Sequence, residues 1–273
     1  MRSSTKTVVL PRGDAGDEPA PGRLPAAPGA WRYRIASLIA LAAFWEAGGR
    51  AWGSNLTVPP LSRVIASLAV QLVTTELWLA LGTTLLALVL GFGAAILLGV
   101  PLGLVIGWYR PAGRLADIYL RLLLSMPVSP MVPVLVVIFG INRTAQAAVI
   151  FIFSIAVLIV NTEAGVRGVN PRLVEMARSF GASDLLIFRR VVLPAAVPAI
   201  IAGLRLGTGR AVIGMVVAEL VLLATGVGRL ITRYSDSFQA APLFAVILVV
   251  LAVGVGLITC WQGLERRLLR WQT

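Results

Sequence analysis

Between two apolar runs stands a stretch dense in charge, Pro171 to Pro194, which holds Arg172, Glu175, Arg178, Asp184, Arg189 and Arg190. No membrane span tolerates charge at that density, so the stretch belongs outside the bilayer. Asn170 can cap a helix, and Pro171 suits its first position. Leu173, Val174, Ala177 and Phe180 then make an apolar stripe at helical spacing, with Arg172, Glu175 and Arg178 on other faces. Gly181 is placed to stop that helix in the left-handed conformation. Ser183 and Asp184 open a second short helix with acid at its positive end. That helix runs toward Leu193, and Pro194 marks its boundary. The chemistry available here is polar and apolar contact, so the stretch is either a docking surface or a plain connector.

Little else in the chain can react. There is no histidine and Cys260 is the only cysteine. A Ser-His-Asp triad, a Cys/His metal site and an intramolecular disulfide are therefore excluded. No glycine-rich loop ends in Gly-Lys-Ser/Thr, so the chain is expected not to hydrolyse ATP and to bind no cofactor or metal of its own.

The spacing inside the charged stretch carries a resemblance. Glu175-Met176-Ala177, three residues, Gly181, nine residues, Val191, one residue and Leu193-Pro194 resemble the EAA loop of ABC importer permeases. The family pattern has Ala and Ile where Met176 and Val191 stand, and both departures keep apolar character. Asn161-Thr162, Gly165-Val166-Arg167 and Ala202-Gly203-Leu204-Arg205-Leu206 resemble the branch that imports sulfonates, taurine, nitrate and similar compounds. The resemblance covers about residues 35 to 270.

The composition agrees with a membrane protein. Hydrophobic residues make up 58% and charged ones 13%, far from the soluble average. The fold class expected is an all-α polytopic membrane protein of about six transmembrane helices. The apolar runs are Ile35 to Trp52, Leu79 to Trp108, Leu122 to Ile141, Ala145 to Val160, Ala195 to Leu223 and Leu243 to Leu264. Residues 1–30, rich in Pro, Gly, Ala and Asp, read as a disordered tail. The resemblance implies that residues 31–273 form the permease domain, with the coupling loop at 165–194. The first long apolar run begins only near Ile35, which argues against a signal peptide.

The net charge of +12 does not imply nucleic acid, because the basic residues sit in short loops between runs. With a cytoplasmic N-terminus, seventeen basic residues fall inside and five outside. That asymmetry puts both termini and the charged stretch in the cytoplasm. Residues 51–76 are then external, with an interfacial helix over Leu61 to Leu72.

Within the runs, Gly99, Gly103 and Gly107 recur every fourth residue, as do Gly203 and Gly207. Such spacing lets helices approach closely, within one subunit or across a dimer. Pro127, Pro130 and Pro133 should bend or break the third run, as a structural kink or as part of a solute path. Arg205 and Arg210 lie inside the fifth run, where a charge costs roughly 2.5 to 3.5 kcal/mol. Three readings are open for Arg210: an ion pair with Glu163 or Asp236, a cationic lining for an anionic solute, or snorkelling to an interface. It cannot pair with Glu219, nine residues away and on the opposite helix face.

The resemblance implies a homodimeric permease of a bacterial inner membrane, working by alternating access. It implies cytoplasmic ABC ATPase subunits that hold ATP and Mg, and a periplasmic or lipid-anchored solute-binding protein. Leu173, Ala177 and Phe180 would fill a groove on the ATPase, Glu175 would make a polar contact to it, and Gly181 would supply the turn. Leu193 and Pro194 would close the motif, and Pro130, Pro133, Arg205 and Arg210 would belong to the solute path. The alternative is an ion-coupled secondary transporter, which needs internal repeats or a relay built from Glu46, Glu163 and Glu219.

Overall fold

The computed structural model describes residues 30–51, 58–222 and 226–268, and these are helices joined by short turns, with no strand among them. The expected tail over residues 1–30 lies outside the described residues except for Ala30. The chain divides into a unit Met1–Trp45 and a unit Glu46–Thr273. The first is described only where helix α1 (Ala30–Ala51) begins.

In the second unit the order is α2 (Leu61–Val73), α3 (Thr75–Trp108), α4 (Arg110–Ser125), α5 (Met131–Phe139), α6 (Arg143–Arg167), α7 (Pro171–Ser179) and α8 (Asp184–Ile187). A π-helical turn, Phe188–Val192, leads into α9 (Leu193–Leu222), followed by α10 (Gly226–Asp236) and α11 (Ala240–Leu268).

Four stretches are long and apolar enough to cross a membrane: Thr75–Trp108, Arg143–Arg167, Asp184–Leu222 and Ala240–Gly263. They match the second, fourth, fifth and sixth runs. The first run falls on α1, and its last residue, Trp52, lies outside the described residues. The third run is not one helix. Its residues divide between α4 and the nine-residue α5, with Met126–Pro130 between them. Pro130 precedes α5, and Pro133 sits in its first turn, where a missing donor removes no helical bond. The prolines therefore set a break and a restart.

α6 lies between α3 and α9, and glycines make that possible. A Cβ at Gly103 would stand 2.6 Å from Thr162 Cβ, and one at Gly203 would stand 2.8 Å from Asn161 Cβ. Gly99, Gly107 and Gly207 face Leu158 or Val166 of the same helix. Both glycine series thus close on α6 within one chain, which is the first of the two readings open from their spacing. Leu158 and Ile159 of α6 meet Leu88, Phe92 and Ala95 of α3 and Ala211 and Met215 of α9 in the main buried cluster.

The short α2 has the amphipathic character expected, with Val64 and Gln71 buried. Glu46 is no bare intramembrane charge. It accepts hydrogen bonds from Ser62 N at 2.9 Å, Ser62 Oγ at 2.9 Å and Arg50 Nε at 2.6 Å, which places a carboxylate at the positive end of α2.

A side chain at Gly103 has no room against Thr162. Gly103→Leu should lower the thermal midpoint of the detergent-purified chain, by an overpacking cost of about 1 to 3 kcal/mol. Gly256→Leu in α11, where nothing stands within 4 Å, should leave it near wild type. Equal midpoints for the two variants would contradict the α3–α6 packing.

Candidate functional site

The charged stretch folds as a helix, a tight turn and the start of a long helix. Asn170 Oδ1 accepts from Arg172 N at 3.0 Å and caps α7. At the other end Gly181 takes φ +77°. Ala182 N donates to Ala177 O at 3.1 Å, and Gly181 N to Arg178 O at 2.9 Å. That pair of bonds is the Schellman arrangement, with glycine at its left-handed position. Ser183 Oγ then accepts from Leu186 N at 3.4 Å and caps the next helix. Arg178 Nη2 meets Asp184 Oδ1 at 3.2 Å across the turn.

The apolar stripe of α7 has two sides. Val174, Ala177 and Ala182 pack on a buried cluster of Val166, Ile187, Val192 and Ala196. Trp108 joins that cluster and meets Phe188 edge to face, with ring centroids 5.5 Å apart. Leu173, Met176 and Phe180 stay exposed, Phe180 at 84%. Ala177, expected at the outer surface, therefore faces inward, and Met176 takes its place on the open side. Glu175 is exposed beside them.

Pro194 does not end a helix. The chain runs helically from Asp184 through Leu222, and Leu193 N donates to Phe188 O five residues back. The widened turn absorbs the steric demand of the proline that follows it. The second half of the expected loop is therefore the foot of a long apolar helix, continuous with α9.

Arg205 is half-buried on α9. Arg210 is exposed and lines a groove of about 710 Å³ between α9 and α11, otherwise walled by apolar side chains such as Leu206, Ile213, Leu251 and Val255. It forms no ion pair among the described residues. Glu163 pairs instead with Arg167, at 2.7 Å on the next turn of α6. The interhelical pair between Arg210 and Glu163 or Asp236 is thus absent. Pro130 and Pro133 lie at the α5 end, on a different part of the fold.

The sequence pattern missed one polar node. Glu219, 1% exposed, accepts from Thr84 Oγ1, from Gln146 Nε2 at 3.2 Å and from Val227 N at 3.3 Å. Gly226 takes φ +64°, and a Cβ there would stand 2.6 Å from Glu219 Oε1. The node joins α3, α6, α9 and α10. The only signal in the sequence was an acidic residue inside an apolar run. Its side-chain partners, Thr84 and Gln146, lie 135 and 73 residues away.

None of these groups makes a catalytic constellation, and no cluster of three potential metal ligands exists among the described residues. The arrangement suits docking at one end of a helical membrane bundle. Residues 99–270 match the family model "Binding-protein-dependent transport system inner membrane component". The chain belongs to this family. A probable ABC transporter permease protein of Brucella abortus (strain 2308) is 32% identical over 182 residues, covering 67% of this chain and 73% of the relative. The taurine transport system permease protein of Escherichia coli (strain K12) is 28% identical over 238 residues, covering 85% and 86%. Among solved structures, the MetNI methionine ABC transporter in inward-facing conformations shares the fold, with a TM-score of 0.54 and 21% identity over 76% of this chain and 96% of that one. The protein is thus an ABC permease component, a multi-pass membrane protein that serves transport and is not itself a catalytic enzyme.

Gly181 has open space where a Cβ would go, so substitution there strains the backbone without a collision. Gly181→Val should keep the chain folded and raise amide hydrogen exchange across 171–182, at a cost on the order of 1 to 2 kcal/mol. Unchanged exchange would contradict the left-handed cap. At the polar node, Glu219→Ala leaves Gln146 and Val227 N–H without that acceptor and should destabilise the chain by about 2 to 4 kcal/mol in thermal unfolding. Glu219→Gln, which keeps an acceptor oxygen, should lose less. The reverse order would contradict the node.

Proposed function

We propose that this permease is the translocating subunit of an ATP-driven importer, and that α7 is where a separate ABC ATPase docks. One observation carries the reading. α7 and its C-cap present Leu173, Met176 and Phe180 to solvent beside Glu175, whose carboxylate has no ion pair among the described residues, while the other side of α7 packs on the bundle. Exposed apolar side chains on a capped helix outside the membrane are a contact surface. The ATPase carries ATP and Mg, and its closure moves α7. Through the turn at Gly181 and the unbroken helix from Asp184, that motion reaches α9 and reorients the spans in alternating access.

Two copies of the chain form the pathway, a solute-binding protein delivers from outside, and both termini with α7 face the cytoplasm. The uneven distribution of arginines supports this orientation. The solute is a small anion of the sulfonate kind. Relatives are named for aliphatic sulfonates and taurine, and Arg210, which has no ion-pair partner among the described residues, offers a cation in an apolar groove. A secondary transporter gains no support from the carboxylates. Glu46, Glu163 and Glu219 each have a separate set of partners and do not form a relay.

Glu175→Lys should insert normally, yet co-purify with little ATPase and support no uptake. Reversal of the partnering cation on the ATPase should restore part of both. Arg210→Gln should keep ATPase binding and ATP hydrolysis while uptake of the sulfonate falls at least tenfold, as expected when an anion in an apolar groove loses its counter-ion. Wild-type co-purification and uptake by Glu175→Lys would reduce α7 to a connector, and normal uptake by Arg210→Gln would remove it from the solute path.

A further inference from the structure

An open cavity of about 930 Å³ lies where the α3–α4 junction and the end of α6 meet α7. Four guanidiniums line it, those of Arg110, Arg114, Arg167 and Arg178, against the carboxylates of Glu175 and Asp184. Two of the cations are engaged. Arg167 meets Glu163 at 2.7 Å, and Arg178 meets Asp184 at 3.2 Å. Arg110 and Arg114 make no ion pair among the described residues, and they stand on the first turns of α4, at its positive end. Any side chain at Gly113 would collide with the Arg167 guanidinium, so that third cation lies directly against the same turns. The lining thus carries an excess of positive charge, and among the described residues Glu175 makes no ion pair within it.

A second, apolar hollow of about 230 Å³ adjoins the first. It is walled by Leu104, Val105, Leu185 and Phe188 and shares Trp108, Tyr109 and Asp184 with the cationic cavity. A Trp-Tyr pair at a junction between charged and apolar walls is the arrangement found at membrane–water boundaries. A cationic cavity that continues into an apolar slot has the chemistry of an amphiphile with an anionic head.

We infer that this composite site binds an anionic phospholipid. Arg110, Arg114 and Arg167 receive its phosphate, and an acyl chain lies along Leu104, Val105 and Phe188. Basic pockets between membrane helices recognise such headgroups, and burial of the chain adds affinity that a soluble phosphate lacks. The bound lipid links α4 to the end of α6 beside the foot of α7. The inference needs only that the chain resides in a membrane. It does not rest on the ATPase reading, which the Glu175→Lys variant tests separately.

The experiment is native mass spectrometry of the full chain in mild detergent, titrated with dioleoyl phosphatidylglycerol or dioleoyl phosphatidylcholine. Phosphatidylglycerol should bind about tenfold more tightly than phosphatidylcholine. The Arg110→Ala/Arg114→Ala chain should lose that preference, the Arg189→Ala/Arg190→Ala chain should keep it, and glycerol 3-phosphate should not compete. Equal binding of the two lipids, or equal loss in both double variants, would overturn the proposal. Full competition by glycerol 3-phosphate would overturn it in favour of a free phosphate. Retained lipid preference with lost ATPase co-purification in Arg110→Ala/Arg114→Ala would assign the cavity to the ATPase instead.

Discussion

The close approach of α3 and α9 to α6 is the constraint on which the rest of the structure depends. In a bilayer apolar side chains gain nothing by leaving lipid for one another, so association rests on tight van der Waals packing and internal hydrogen bonds. Glycines facing α6 from both sides supply the first: Gly99, Gly103 and Gly107 on α3, Gly203 and Gly207 on α9. The second is concentrated near the start of α6, where Gln146 reaches Glu219. At the far end of the same helix Val166 enters the cluster that seats α7. One helix therefore carries the polar node at one end and the seat of α7 at the other.

That arrangement supports the proposal that the surface of α7 acts on the membrane interior. α7 is capped at both ends and fixed on its inner side, so it moves as a body. The π-helical turn lets the chain pass Pro194 without a break. On the proposed reading, a displacement of α7 becomes a displacement of α9, the helix that carries both Arg205 and Arg210. A flexible linker in place of that foot would dissipate the motion before it reached the bundle.

Much of this could be read from the chain itself, because the informative signals were local. The caps at Asn170 and Ser183 and the left-handed turn at Gly181 depend on neighbours a few residues away, and all three appear as the spacing indicates. The long apolar runs became helices because backbone groups in lipid have no other partners. The third run divides between α4 and α5, as its prolines indicated, because Pro127 and Pro130 fall between the two helices. Ala177 was assigned outward because α7's stripe borders both the bundle and open space, and a pattern cannot say which side faces which. The partners of Glu219 and the absence of one for Arg210 depend on helix rotation about α6, over separations of tens of residues.

On the proposed reading the outer side of α7, and not its inner side, meets an ATPase. Cysteine cross-linking in a Cys260→Ser background measures this directly, with single cysteines placed at Phe180, Leu173 and Ala177 in the assembled complex. The account predicts rapid cross-links to the ATPase from Phe180→Cys and Leu173→Cys, and none from Ala177→Cys. A complex that transports solute while giving no cross-link at Phe180 or Leu173, or giving its strongest at Ala177, would contradict it.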